Sequence, residues 1–295
     1  MIQVIVGPTG SGKTDLSLDL ARRTGGVIVN CDSLQFFKDI PTLTAMPNNS
    51  EQSMAKHLLF GFLNYDESMN AVRWSETVSK IISENNRNVV IVGGTFLYLE
   101  TLLMGISELP DVTDDIRSHV DKISSIDFNK IMDDLYDFDG RLKKILTPDK
   151  HKQLRRAYEV YLATGKSILD FYDKPRKQFL EKKDDVEIIK IDVNREFLRK
   201  KIEKRFRNML QNGAVEEVQD LLRKTNNSVN YPIFNAIGAR EITSMLSGAI
   251  DGNTMLDISI NKTMQYAKRQ ITWLKNRLSK YGVPIEIVEM QKCHI

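Results

Sequence analysis

The chain has 295 residues, 41% hydrophobic and 27% charged, which is long enough to bury a full core and too apolar for a disordered segment. No run approaches the roughly 18 apolar residues of a membrane span, Met1 leads straight into a strand-like run without a charged leader, and Cys31 and Cys293 stand far apart without metal-ligand spacing. A cytoplasmic, reduced protein with no membrane anchor and no zinc is expected, and its net charge of +3 conceals an uneven distribution.

Ile2 to Val6 is a short β-branched run ending at Gly7-Pro8, which predicts a buried strand entering a turn. Residues 14–23 follow with helical spacing through Leu16, Leu20 and Ala21. Val27 to Asn30 and residues 88–92 predict further buried strands, with a helix over 74–84 between them. Such alternation implies an α/β fold with a parallel sheet flanked by helices.

From Asp111 to about Asp185 the pattern turns helical and highly charged, opening after Leu109-Pro110 and closing around Lys174-Pro175 and the charged turn over 182–185. Strand character resumes at Val186 to Asp192, followed by amphipathic helices over 195–212 and 254–280 and a last strand over 284–288. The expected organisation is a core made of residues 1–110 and 186–295, interrupted by a helical insertion over 111–185. Residues 111–149 carry six Lys/Arg against ten Asp/Glu, residues 150–210 eighteen against ten, and residues 262–280 six and no acid. The basic stretches suit a phosphate-rich partner, although solvated helix faces have the same composition.

Gly7-Pro8-Thr9-Gly10-Ser11-Gly12-Lys13-Thr14 fits the pattern G-x-x-x-x-G-K-[ST] between a predicted strand and a predicted helix, which is the setting a phosphate-binding P-loop requires. Backbone N–H groups and the helix N-terminus surround phosphate oxygens, Lys13 reaches them, and Thr14 can ligate Mg²⁺. The usual partner is an Asp at the end of a second apolar strand. Here the strand over 88–92 runs into Gly93-Gly94-Thr95, and the nearest candidate acid is Asp32, after Val27 to Asn30. Because ligands bind where the carboxyl ends of parallel strands converge, Asp32, Thr95 and the P-loop are expected to share one site.

With Asp32-Ser33-Leu34-Gln35, Gly93-Gly94-Thr95-Phe96-Leu97-Tyr98 and Ala267-Lys268-Arg269-Gln270-Ile271-Thr272-Trp273 added to the P-loop, the chain resembles the bacterial-type tRNA dimethylallyltransferase family. The resemblance runs from Gly7 to about Arg277, with weaker echoes at residues 156–165 and at Ala236-Ile237-Gly238. Departures stand at Phe36-Phe37, at Pro41-Thr42-Leu43-Thr44-Ala45-Met46-Pro47, at Ala239 and at Met264.

This resemblance implies a P-loop NTPase-like sheet with a helical insertion contacting tRNA. It also implies transfer of a dimethylallyl group from dimethylallyl pyrophosphate to N6 of the adenosine 3′ of the anticodon, releasing pyrophosphate. An adenine amine is a weak nucleophile, so a carboxylate that accepts its proton helps the new bond form, and Asp32 is assigned that role. The P-loop, residues Gly7 to Thr14, is expected to hold the donor's pyrophosphate, with Lys13 and Mg²⁺ at Thr14 opposing the charge that develops there. By resemblance the Thr95 hydroxyl lies at the reaction centre, although a helix N-cap is the alternative. Asp32, Ser33, Leu34, Gln35, Thr95, Arg117, Arg156, Lys268 and Arg269 are the expected tRNA contacts. Arg117 has an i,i+3 pair with Asp114 as its alternative role.

The target base must leave its stack, and Phe36 and Phe37 either stack on it or belong to the core. In the last helix Ala267, Ile271, Leu274 and Leu278 form the expected apolar stripe, with Lys268, Thr272 and Lys275 on another face. The rival readings are a P-loop kinase of a nucleotide or metabolite and a non-catalytic RNA-binding ATPase switch.

Overall fold

A computed structural model describes residues 1–84, 88–180 and 186–289. Cys293, His294 and the turn over 182–185 lie outside the described residues. The chain divides into two compact units, one formed by Met1–Leu103 with Phe179–Ile295 and the other by Met104–Gln178.

The first unit is built on a six-stranded, wholly parallel sheet of β1 (Ile2–Val6), β2 (Val27–Asn30), β3 (Lys56–Leu58), β4 (Val89–Val92), β5 (Val186–Asp192) and β6 (Ile285–Glu289), in the order β3-β2-β4-β1-β5-β6. Every residue of β1, β2 and β4 is buried, the polar Gln3 and Asn30 included, which is why these strands read as predominantly apolar runs rather than as alternation. The Lys13–Thr24 helix packs Leu18, Leu20 and Ala21 into a cluster with Ile5, Ile28, Val90 and Ile191. Each such large aliphatic side chain contributes about 2 kcal/mol on burial, so the P-loop is anchored firmly on both sides. Strand β3 was not predicted, because it is a three-residue edge whose Lys56 and His57 break any apolar run.

The longest helix, Gly252–Arg277, corrects one expectation. Ile271 is 41% exposed, and the buried line runs through Ala267, Gln270, Leu274 and Leu278. Spacings of three, four and four residues follow one another along that line, close to the helical period of 3.6, and they carry the polar Gln270 inward in place of Ile271. Lys268, Thr272 and Lys275 are exposed as expected.

The second unit is helical, with Val120, Ile131, Leu135, Leu142, Leu154 and Val160 at its centre. It begins and ends earlier in sequence than residues 111–185. Its two ends are joined by paired backbone bonds, Ile106 N–H to Lys177 O at 3.1 Å and Lys177 N–H to Ile106 O at 2.9 Å. Arg117 is exposed on the Asp114–Ile126 helix. Arg156 is half-buried, and its guanidinium donates to Glu159 at 3.0 Å and to the Pro110 carbonyl at 3.3 Å. No helix among the described residues is long and apolar enough to cross a membrane.

Candidate active site

Strand order brings the carboxyl ends of β2, β4 and β1 side by side, and the three loops that follow them carry Asp32, Thr95 and the P-loop. The P-loop turns into its helix at Gly12, whose φ of 92° is a left-handed value that side chains disfavour. The first N–H groups of any helix lack intrahelical acceptors, so the amides entering this one are available to an anion. Within the loop, Ser11 N–H bonds to Pro8 O at 3.2 Å, and Lys13 Nζ donates to Gly7 O at 3.0 Å and to Pro8 O at 2.9 Å. An ammonium has three donors, which leaves one for a phosphate oxygen. Burial brings the Lys13 pKa down to about 8; Asp32 opposes that shift and Arg205 reinforces it.

Gly93 explains how the ends of β2 and β4 meet. A Cβ at that position would overlap the Cys31 carbonyl, so only glycine permits the approach. It allows Thr95 N–H to bond to Cys31 O at 3.0 Å. The Thr95 hydroxyl then accepts the Ser33 N–H at 2.9 Å and donates to Ser33 Oγ at 3.2 Å. Thr95 thus uses its side chain on the loop after β2 rather than as a cap for the Phe96–Met104 helix that follows it.

Asp32 is held by the same turn. Its N–H bonds to Asn30 Oδ1 at 2.7 Å, and its Oδ1 accepts the Leu34 N–H at 3.1 Å. Asn30, fully buried, also donates to the carbonyls of Asp32 and Leu59, while the Trp74 indole N–H bonds to the Asn30 carbonyl at 2.9 Å. The carboxylate therefore sits on a loop fixed at several points, which suits a group that must keep its geometry.

Asp32, Lys13, Thr14, Gln35 and Arg205 line one cavity of about 930 Å³. A smaller cavity of about 100 Å³ shares Asp32, Thr9 and Arg205 with it, and there Leu43, Ile202 and Phe206 make the wall apolar. The Gln35 amide donates to the carbonyls of Thr44 and Ala45 at 3.0 Å each, tying the loop that replaces the family's usual sequence to the site's rim. That loop is held from its other side by Glu217, whose two oxygens accept the N–H groups of Thr42 and Leu43 at 2.7 and 3.0 Å.

Two residues of the site were missed in the sequence. Arg205 lies on the Arg195–Gln211 helix, and its pKa is lowered by burial against the opposing pull of Asp32. The inward line of that helix runs through Leu198, Ile202, Phe206 and Met209, so a cation one position beside it was a readable signal. Gln270, the other, bonds to Thr9 N–H at 2.8 Å. The two phenylalanines belong to the core, with Phe36 and Phe37 1% and 4% exposed and Phe36 packed on Phe62 and Tyr98. Trp273 likewise stacks on Phe96, ring centres 4.7 Å apart. Lys268 and Arg269 are exposed beside it, and Arg269 lies over the Tyr266 ring.

Among the described residues no three His, Cys, Asp or Glu side chains are grouped so as to hold a metal. Thr14, beside Lys13 on the cavity wall, offers a hydroxyl, which together with waters and phosphate oxygens is the oxygen-only set that Mg²⁺ takes.

The family model described as IPP transferase matches residues 35–277. The tRNA dimethylallyltransferase of Agrobacterium fabrum is 35% identical over 279 residues, covering 93% of each chain. That of Rickettsia rickettsii is 32% identical over 284 residues, covering 94% of this chain and 77% of its own. Among solved structures, the tRNA Δ2-isopentenylpyrophosphate transferase of Staphylococcus epidermidis aligns with a TM-score of 0.64 at 28% identity, covering 98% of this chain and 92% of that one. A eukaryotic dimethylallyltransferase acting on tRNA shares the fold with a TM-score of 0.82 at 24% identity, over 98% of this chain and 73% of its own. Matched over most of its length by the family model and by relatives more than 30% identical to it, the chain belongs to the IPP transferase family, among the tRNA dimethylallyltransferases.

Proposed function

We propose that this chain, working in the cytoplasm, transfers the dimethylallyl group of dimethylallyl pyrophosphate to N6 of the adenosine 3′ of the anticodon in tRNA. The observation that carries this reading is a phosphate cradle and a carboxylate lining one cavity in a chain of this family. The adenine nitrogen forms a bond to the first carbon of the prenyl group as that carbon's bond to oxygen breaks. Asp32 accepts the N6 proton, and the electron pair leaves with pyrophosphate. Lys13, Arg205 and the loop amides lower the cost of the charge that gathers on the leaving group. Thr14 would hold a Mg²⁺ ion, which would supply further positive charge beside the leaving group. The Thr95 hydroxyl keeps the loop carrying Asp32 against the end of β4.

Unmodified tRNA incubated with labelled dimethylallyl pyrophosphate should acquire the label on adenosine, whereas labelled ATP should label neither tRNA nor a small acceptor. Phosphate transfer from ATP would overturn the reading in favour of a kinase, and nucleotide-dependent tRNA binding without any product in favour of a switch. The names of the relatives favour prenyl transfer over both.

For tRNA we assign the exposed face of Lys268, Arg269, Thr272 and Lys275, together with Ser33, Leu34 and Gln35 at the site and Arg117 and Arg156 on the helical unit. Phosphate contacts release counterions, so tRNA affinity should fall about tenfold or more between roughly 50 and 200 mM salt. Lys268→Glu or Lys275→Glu should weaken tRNA binding and reduce that slope while donor affinity is unchanged. A flat salt dependence in filter binding would remove these residues from the interface.

A further inference from the structure

Gln270 is 3% exposed, and both ends of its amide are bonded. Its Oε1 accepts the Thr9 N–H at 2.8 Å, and its Nε2 donates to the Gly94 carbonyl at 3.2 Å. Those partners lie 261 and 176 residues away in sequence, in the loops that follow the neighbouring strands β1 and β4. Thr9 is in the donor cradle. Gly94 precedes Thr95, which is bonded to the loop that carries Asp32. A Cβ on Gly94 would overlap Nε2, so the approach exists because that residue is glycine. Tyr266, one turn earlier on the same helix, donates to the same Gly94 carbonyl at 3.2 Å.

We infer that Gln270 is a positioning residue for the transfer, one that fixes the spacing between the pyrophosphate cradle and the loop bearing the carboxylate. The inference rests on the prenyl-transfer reading above. Attack requires the reacting atoms to approach within about 3–3.5 Å, and a misplacement of about 1 Å can cost 10² in rate. Two links of different kind pass through one amide. The bond to Thr9 sets the shape of the cradle tip and so bears on donor binding. The bond to Gly94 sets where Thr95 and Asp32 stand and so bears on the chemical step, with Tyr266 sharing that duty.

Two variants of the full chain test this, with single-turnover transfer, donor KM, tRNA affinity and melting temperature measured for each. Gln270→Met fills the space and removes both bonds. It should raise donor KM several-fold and lower kcat about 10- to 100-fold, with tRNA affinity within about twofold of wild type. Tyr266→Phe removes one donor to the Gly94 carbonyl and leaves the Thr9 bond in place, so it should lower kcat while donor KM stays near the wild-type value. Unchanged kcat and donor KM in Gln270→Met would overturn the inference alone. So would losses in both variants that simply follow melting temperature, with no separation of KM from kcat, since that is what a purely supporting side chain produces. Absence of prenyl transfer by the wild-type chain would instead overturn the reaction itself, and the inference with it.

Discussion

Asp32→Asn is expected to slow the chemical step by about 10²- to 10⁴-fold, the usual worth of a positioned general base, while tRNA binding survives. The substitution isolates proton acceptance because an amide oxygen can still take the Leu34 N–H, and the loop's other ties run through Asn30 and Thr95 rather than through the carboxylate. If the carboxylate organises magnesium instead, the same change will raise donor KM, and the deficit will shrink as Mg²⁺ is raised. Single-turnover transfer at saturating donor and tRNA, over a range of Mg²⁺, separates the two. A chemical rate close to wild type would eliminate Asp32 as the base.

Lys13→Ala should reduce kcat/KM by about 10²- to 10³-fold, comparable to removing one preorganised donor from a developing anion, with tRNA affinity little changed. The loss reaches KM as well as kcat because the ammonium meets a pyrophosphate that is charged before the bond breaks as well as after. Equal loss of tRNA affinity would point to a collapsed loop, since the side chain also bonds to Gly7 O and Pro8 O. A second signature is pH. With its pKa near 8, Lys13 is charged below that value and neutral above it, so donor affinity should fall as pH rises through about 8. Lys13→Arg keeps the charge at any accessible pH and should remove that limb from the donor KM profile.

The parts of the fold readable in the sequence were those where one force dominates. Strands buried on both faces leave runs rich in β-branched residues, as in β1 and β2, and these two carry the predicted bounds, as does the partly buried β5. The P-loop is legible because its backbone conformation demands glycines at fixed places. The Phe96–Met104 helix was not assigned, since a segment that is apolar on nearly every side shows no amphipathic period. The short β3 gave no signal at all. Within the site, Asp32 and Thr95 follow from strand ends meeting. Gln270 was missed because a polar side chain in the inward line of a helix reads as an irregularity in a core pattern until its partners are known, and Arg205, although it stands beside such a line, because one more cation in a helix rich in Lys and Arg does not stand out. Ile271 was assigned to the core for the converse reason, an apolar residue standing one position past the buried line.

The sheet order has a consequence for how the chain is made. A ribosome delivers β1, β2, β3 and β4 within the first 92 residues, enough for four strands to pair, but β1 then has one unpaired edge awaiting β5. Its partner begins only at Val186, after a helical unit that has its own core and short-range contacts and so can fold early. During that interval Ile2–Val6 is an open edge of the kind that recruits other chains. The helical unit thus acts during synthesis as a timed delay in closing the sheet, and the Ile106–Lys177 bridge shortens the search by bringing its two ends together before β5 arrives.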